Sequence, residues 1–383
     1  MSTPDVIKFV NSYGSIPFAE KPFNKEDNVA LCMAFYMPFD KVISPSFDEE
    51  PVPFADACQK LYDFRGGHKP VGLVLVKDIS KLMMAMAAQK RYSEMKILAC
   101  TETFNVKPAV QFDAATLLLP TGEVVVLFRG TDDTLTGWKE DLDMLCSDNG
   151  IPSEPLCLEY LKTVAEKYDG DIIVCGHSKG AYVAHYAVMN SPKEIRDRVK
   201  AFYNNDGPGM ASTDFLDSEV YKELLPRYTH IIPKSSFIGM MMMHDSDYIV
   251  VDSKKITGAM QHDILTWKFD GDKLKLLPEM TKSGKIADLT FATMIPALSK
   301  EQLVATEKAV GAVLEGIGQR GLLDVKKHAG SSLRGGMRAF KSLDKETKAV
   351  LKDTMKVAKA SFKASRKAVR SGEYKNASER NAK

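Results

Sequence analysis

The stretch VCGHSKGAY, residues 174–182, decides how the chain is read, because Ser178 lies between Gly176 and Gly180 in a G-x-S-x-G pattern. The pattern is short enough to occur by chance, so its flanks carry the argument. Upstream, Ile172, Ile173 and Val174 form the apolar run of a buried parallel strand. Downstream, Ala181, Ala184, His185 and Val188 fall at helical spacing among helix-favouring alanines. Strand, tight turn and helix are the context of a nucleophile elbow. There the glycines let strand and helix approach closely while the serine takes a strained conformation. The competing reading of this stretch alone is an ordinary turn before a helix.

Outward from the elbow, strand and helix patterns alternate. AATLLLP (114–120), a Thr121-Gly122 turn and EVVVLFRG (123–130) read as a hairpin, and PLCLEYLKTVAEKY (155–168) reads as an amphipathic helix. After the elbow helix, VKAFYNND (199–206), RYTHIIPKSS (227–236) and SDYIVVDS (246–253) read as further strands. NVALCMAFYMPF (28–39) and ISKLMMAMAAQKRY (79–92) read as helices packed on that core. The alternation predicts an α/β fold: a mostly parallel sheet with helices on both faces.

A chain of 383 residues with 44% hydrophobic content can bury a large core. The start, MSTPDVIKFVNSYG, lacks the basic opening and unbroken apolar run of a signal peptide, and no apolar run approaches the roughly 18 residues of a membrane span. Cys32, Cys58, Cys100, Cys146, Cys157 and Cys175 are scattered without a C-x-x-C pair. They read as reduced thiols of a cytoplasmic protein and offer no zinc framework. With no G-x-x-x-x-G-K-[ST] or G-x-G-x-x-G loop, neither nucleotide binding nor any cofactor is expected.

Net charge is +2, unevenly spread. Residues 326–383 hold 17 Lys and Arg against 5 Asp and Glu, an excess of +12, so residues 1–325 carry −10. The seam falls near 295, where TFATMIPALSKEQL (290–303) offers Ser299 and Gln302 as a capping box for a new helix. The chain therefore divides into residues 1–295, the α/β body, and 296–383, a basic helical extension. Within the extension, HAGSSLRGGM (328–337) reads as a glycine-rich hinge. Leu351, Met355, Ala358, Phe362 and Val369 form an apolar stripe beside Lys352, Lys356, Lys359, Lys363 and Arg366, a basic amphipathic helix. Such a helix suits an anionic membrane surface, an acidic partner or the acidic body of this chain. Nucleic acid ranks last, because only Phe340, Phe362 and Tyr374 are available to stack.

A second motif supports the elbow. VVVLFRGTDDTLTGW (124–138) ends a strand at Phe128 and turns through Arg129, Gly130 and Thr131, one strand before the elbow strand. Attack of a serine on an acyl carbonyl creates an oxyanion that needs preorganised N–H donors. The elbow offers the N–H of Lys179, and Thr131 is positioned to offer another, with its hydroxyl as a third.

FRGTDDTLTGWKEDLDM (128–144) followed by GHSKGAYVAHYA (176–187) resembles the fungal-type (class 3) lipases, which combine an R-G-[ST] oxyanion turn, a nearby Trp and Asp, and a G-H-S-x-G elbow. With YNNDGPG (203–209) and QHDILTW (261–267), the chain more closely resembles a bacterial family of lipase-like α/β-hydrolases of undefined function. The resemblance covers roughly residues 25–275. It implies an α/β-hydrolase fold and serine-based ester chemistry, without fixing a substrate.

A serine hydroxyl needs a histidine to take its proton and a carboxylate to orient that histidine, in the chain order Ser, acid, His for this fold. Order removes His68. His177 and His185 belong to the elbow and its helix, and His328 lies in the tail, which leaves His230, His244 and His262. His262 follows the last strand-like segment, where the fold carries its histidine. The usual place for the acid, after RYTHIIPKSS, holds only Lys234, Ser235 and Ser236, a departure from the fungal pattern. Asp206, at the preceding strand end, is the first choice, with Asp245 and Asp247 as alternatives. Lys179 is a second departure: it reads as attracting an anionic group or as a solvated lysine at a helix start. Met240–Met243 reads either as an adaptable acyl pocket or lid, or as core packing. Trp138 reads as a structural anchor and Asp141 as a buried hydrogen-bonding carboxylate.

Two functions follow. One is a serine carboxylester hydrolase acting on a lipid or another acyl ester, with lipase, phospholipase, thioesterase and esterase undistinguished. The other is a non-catalytic scaffold of the same fold that binds through its basic helix.

Overall fold

The computed structural model describes residues 3–71, 78–132, 134–146, 150–210, 214–243, 248–318 and 321–381. Eight of its strands are β1 (Val52–Pro53), β2 (Lys96–Asn105), β3 (Val110–Leu118), β4 (Val124–Phe128), β5 (Ile172–His177), β6 (Val199–Asn205), β7 (Tyr228–Pro233) and β8 (Tyr248–Val251). They stand side by side in chain order, and Leu276–Leu277 closes the far edge. β4 through β8 pair in parallel, whereas β1, β2, β3 and Leu276–Leu277 join antiparallel. The hairpin expected at Thr121-Gly122 is the β3–β4 turn, where Gly122 takes φ 100°, a conformation that suits glycine.

Helices cover both faces. α1 (Asp5–Tyr13), α2 (Lys25–Ala34), α3 (Phe54–Arg65), α4 (Asp78–Ala87) and the single turn α5 (Lys90–Ser93) precede β2. α6 (Leu135–Cys146) and α7 (Ser153–Lys167) join β4 to β5, and α8 (Lys179–Asn190) and α9 (Lys193–Arg196) join β5 to β6. α10 (Glu219–Leu224) precedes β7. Side chains alternate across β5 as the pleat requires. Ile172 and Val174 enter a core with Leu161 and Val164 of α7 and Ala184 and Val188 of α8. Ile173 and Cys175 enter a second core with Leu31 of α2, Leu61 of α3 and Met83 of α4. A strand buried on both faces cannot alternate polar with apolar, which is why Ile172–Val174 reads as a continuous run.

After β8, α11 (Gly258–Gln261) leads to His262, and the chain ends in α12 (Lys282–Met294), α13 (Lys300–Ile317), α14 (Leu322–Lys327), α15 (Ala329–Ser342), α16 (Lys345–Ser371) and α17 (Ala377–Asn381). The capping box expected at α13 is present: Ser299 Oγ accepts from Gln302 N, and Gln302 Oε1 accepts from Ser299 N. α13 packs on α6 and on α15, and α16 packs on α12 and α13. No helix among the described residues is long and apolar enough to cross a membrane.

The expected hinge at 328–337 is instead the first part of α15. A Cβ on Gly335 would stand 2.0 Å from the Gly316 carbonyl oxygen, and one on Gly316 would stand 2.5 Å from Ala339 Cβ. The glycines bring two helices into backbone contact rather than loosen the chain. Gly335→Ala is therefore expected to lower stability by about 1–3 kcal/mol, the cost of overpacking. Gly330→Ala, whose Cβ would meet only Arg334 Nη1 at 3.9 Å, should gain up to about 1 kcal/mol of helix propensity. Urea unfolding of both variants checks this. A hinge would show Gly335→Ala gaining stability as well.

Candidate active site

β5 delivers its last residue, His177, to the carboxyl edge of the sheet. Ser178 follows at φ 57° and ψ −134°, before α8 begins at Lys179. A non-glycine residue at positive φ is strained and persists only where its surroundings impose it. Here they do. A Cβ on Gly176 would stand 2.5 Å from Ala181 Cα, and one on Gly180 would stand 2.1 Å from the Phe128 carbonyl oxygen. Ser178 N donates to Asn205 O at 3.1 Å, and Ser178 O accepts from Ala181 N at 2.9 Å. The Ser178 hydroxyl has no hydrogen-bond partner among the described residues. In serine hydrolases that contact often closes only around substrate.

Asp206 follows β6 directly, one strand over, where Asn205 is level with His177. It is fully buried, at φ 49°. Its Oδ2 lies 2.7 Å from His262 Nδ1, and its Oδ1 accepts from Ser236 Oγ at 2.5 Å and Gly239 N at 3.2 Å. The turn after β7, which lacks a carboxylate, thus supplies the donors that hold one. His262 keeps 21% of its side chain exposed against the buried Asp206.

The loop carrying His262 is pinned from several sides. Trp267 Nε1 donates to Gln261 O at 2.8 Å, and Gln261 Oε1 accepts from Ser235 N at 2.9 Å. His177 Nε2 donates to the His262 carbonyl oxygen at 3.0 Å, and the two rings stack at 4.5 Å. Tyr36 lies 2.7 Å from His177 Nδ1 through its hydroxyl, which donates there because the ring's other nitrogen carries the proton. Burial holds His177 well below the ordinary histidine range, so this ring stays neutral. Sequence reasoning placed Tyr36 in a core helix and missed this role. Its only signal is a hydroxyl in an otherwise apolar run.

The Arg129–Thr131 turn abuts the elbow: a Cβ on Gly130 would stand 2.5 Å from His177 O and 2.8 Å from Ser178 Cβ. Thr131 Oγ1 donates to Asp141 Oδ1 at 2.6 Å, and burial pushes Asp141 up to about 6. Arg129 pairs with Asp113 at 2.7 Å; burial lifts Asp113 to about 6 despite that cation.

Lys179 corrects both of its sequence readings. It is 2% exposed, and its Nζ donates to Glu140 Oε2 at 2.5 Å, Gln111 O at 2.6 Å and Gln111 Oε1 at 3.1 Å. Glu140, also buried, accepts in addition from Gln111 N at 2.9 Å and from Ser153 N at 3.2 Å. Of the two readings of Met240–Met243, Met240 and Met242 follow the packing one, in core clusters, whereas Trp138 is corrected: it is 45% exposed rather than an anchor. His230 is buried in β7 beside Tyr228 and Tyr248, and the Asp206 carboxylate contacts His262 instead. Asp245, Asp247 and His244 lie outside the described residues.

A family model described as Mbeg1-like matches residues 86–311. No curated protein matches the sequence. Among solved structures, the native Rhizomucor miehei lipase propeptide complex is similar at 10% identity, covering 64% of this chain and 78% of that one, with a TM-score of 0.35. The M37 lipase is similar at 16% identity, covering 57% of this chain and 70% of that one, with a TM-score of 0.37.

The buried pair generates a prediction. Lys179→Met removes the cation facing Glu140 and should cost about 3–5 kcal/mol, while Lys179→Met with Glu140→Gln should recover much of that loss. Urea unfolding of the single and double variants reads both. A solvated lysine would instead show a change within about 0.5 kcal/mol.

Proposed function

The chain belongs to the Mbeg1-like family, and on that footing we propose that it is a serine carboxylester hydrolase of the α/β-hydrolase fold. The observation that carries this reading is the 2.7 Å contact between His262 Nδ1 and buried Asp206, one strand over from a serine at φ 57°. In this reading Ser178 is the nucleophile, His262 the general base and Asp206 the carboxylate that orients it. Relative to the fungal-type lipase motifs that the sequence resembles, the acid in this reading stands at the end of β6 rather than after β7.

Chemically, Ser178 Oγ attacks the acyl carbonyl while His262 Nε2 takes its proton. Asp206 Oδ2 accepts a hydrogen bond from Nδ1–H, which fixes the tautomer and stabilises the imidazolium. Ser236 and Gly239 occupy the other carboxylate oxygen, so only Oδ2 faces the ring. The oxyanion is met by the N–H groups of Lys179 and Thr131. The Thr131 hydroxyl is committed to Asp141, so this turn contributes through its backbone. The imidazolium then returns its proton to the leaving oxygen, and water, activated by the same histidine, hydrolyses the acyl-enzyme. A lipid or another acyl ester is the proposed substrate. The six free cysteines, all buried, suit a protein working in a reducing cytoplasm.

Labelling with a fluorophosphonate probe tests the nucleophile. Wild type should be modified at Ser178, and Ser178→Ala should not be. Asp206→Asn should lower kcat by about 10⁴ with KM nearly unchanged. A folded wild type that resists the probe would overturn the enzyme reading and leave the scaffold.

A further inference from the structure

We propose that α16 is a docking face for an anionic lipid bilayer. Lys352, Lys356, Lys359, Lys363, Arg366 and Arg370 follow one another at steps of 4, 3, 4, 3 and 4 residues, and all are exposed. That spacing puts six cations on one line along the helix, about 27 Å long at 1.5 Å per residue. Among the described residues, only Lys356 of the six pairs with a carboxylate, Asp353 at 2.7 Å. The other five are exposed and form no ion pair among the described residues, although Asp353 also feels the charge of Lys352.

The opposite face of the same helix is occupied. Thr347, Ser365 and Val369 are buried where α16 packs on α12 and α13. The ends are tied: Asp344 pairs with Lys308 at 2.7 Å, and beyond the helix Tyr374 and Arg380 both bind Asp288. The extension is therefore folded against the body, yet that packing does not cover the cationic line, which lies about half a turn away. A tail neutralised by its own acidic body would hide these residues.

Two neighbours of the line favour lipid over other polyanions. Met355 and Phe362 stand one heptad apart on its flank, 55% and 50% exposed. A rigid cationic helix with apolar side chains along its edge fits a surface that is anionic outside and apolar just beneath, at about a tenfold affinity gain or less per cation. A single-stranded nucleic acid would call for aromatic side chains interleaved with the cations, and α16 exposes only Phe362.

The test is co-sedimentation of the full chain with phosphatidylcholine vesicles, with and without phosphatidylserine, at low and high salt. Binding is expected only with phosphatidylserine and should weaken as salt screens it over about 8 Å. The variant Lys352→Gln, Lys359→Gln, Lys363→Gln, Arg366→Gln should bind roughly a thousandfold more weakly. Its helical circular dichroism and unfolding midpoint should match wild type, since the four side chains are exposed. Met355→Ser with Phe362→Ser should also weaken binding. Equal binding to neutral vesicles, full binding by the four-site variant, or indifference to the Met355 and Phe362 changes would overturn the proposal. So would tighter binding of a nucleic-acid oligonucleotide than of the vesicles at the same salt. The readout needs no turnover, so it stands or falls apart from the ester hydrolase reading.

Discussion

Three strand ends and one helix meet at Ser178 with no room for side chains at Gly130, Gly176 and Gly180, and the site depends on that crowding. Each of these glycines would put a Cβ within 2.5 Å of neighbouring backbone or of a buried hydroxyl. Ser178 keeps its side chain among them, at a φ of 57° that costs of order 1–3 kcal/mol. The strain is held by the sheet itself: Ser178 N is tied to Asn205 O, and β5 is fixed between β4 and β6 by parallel ladders. Relaxing the turn would require parting strands whose side chains fill two separate cores.

Buried charge gives the same corner its second constraint. Lys179–Glu140 and Arg129–Asp113 flank the elbow, and each removes two ions from water. Such pairs add little net stability, but breaking one strands a charge, so they fix where α6, α8 and β3 lie relative to each other. Asp206 is handled differently. Among the described residues it is buried against one histidine, and its other oxygen is met by a hydroxyl and an N–H. That explains why a serine-rich turn after β7 can replace a carboxylate there: its donors reach back to the end of β6.

The elbow, the order of the strands and the acid–base contact were legible because local pattern and chain order dictate them. Ile172–Val174 cannot be other than buried, and Asp206 and His262 are each at a strand end or loop where the fold brings residues together. What escaped the sequence depends on distant partners. Lys179 reads as solvated because nothing nearby in sequence announces Glu140, 39 residues earlier. Tyr36 reads as core because its partner, His177, is 141 residues away. β2 went unread for the same reason: its polar outer end, Thr101–Asn105, breaks the apolar pattern, and its pairing with β3 supplies what the pattern lacks.

Glycine and small residues were the harder case, since one composition serves opposite ends. At Gly122 freedom of φ is what counts; at Gly316 and Gly335 it is the missing Cβ, which lets α13 and α15 touch. α16 extends the argument. Its buried residues are Thr347, Ser365 and Val369, which bury little apolar area over so long a helix. A helix of this kind cannot be held by its core face alone, and it is not. Lys308 takes Asp344 at one end, and at the other the buried Asp288 of α12 accepts Tyr374 and Arg380. Polar clamps at both ends leave the middle free to carry long cations outward. An inner face rich in leucine would have drawn the helix deeper and turned part of that line toward the body. The sparse apolar burial of this helix is thus the condition under which it can be fixed to a domain and still present a charged edge.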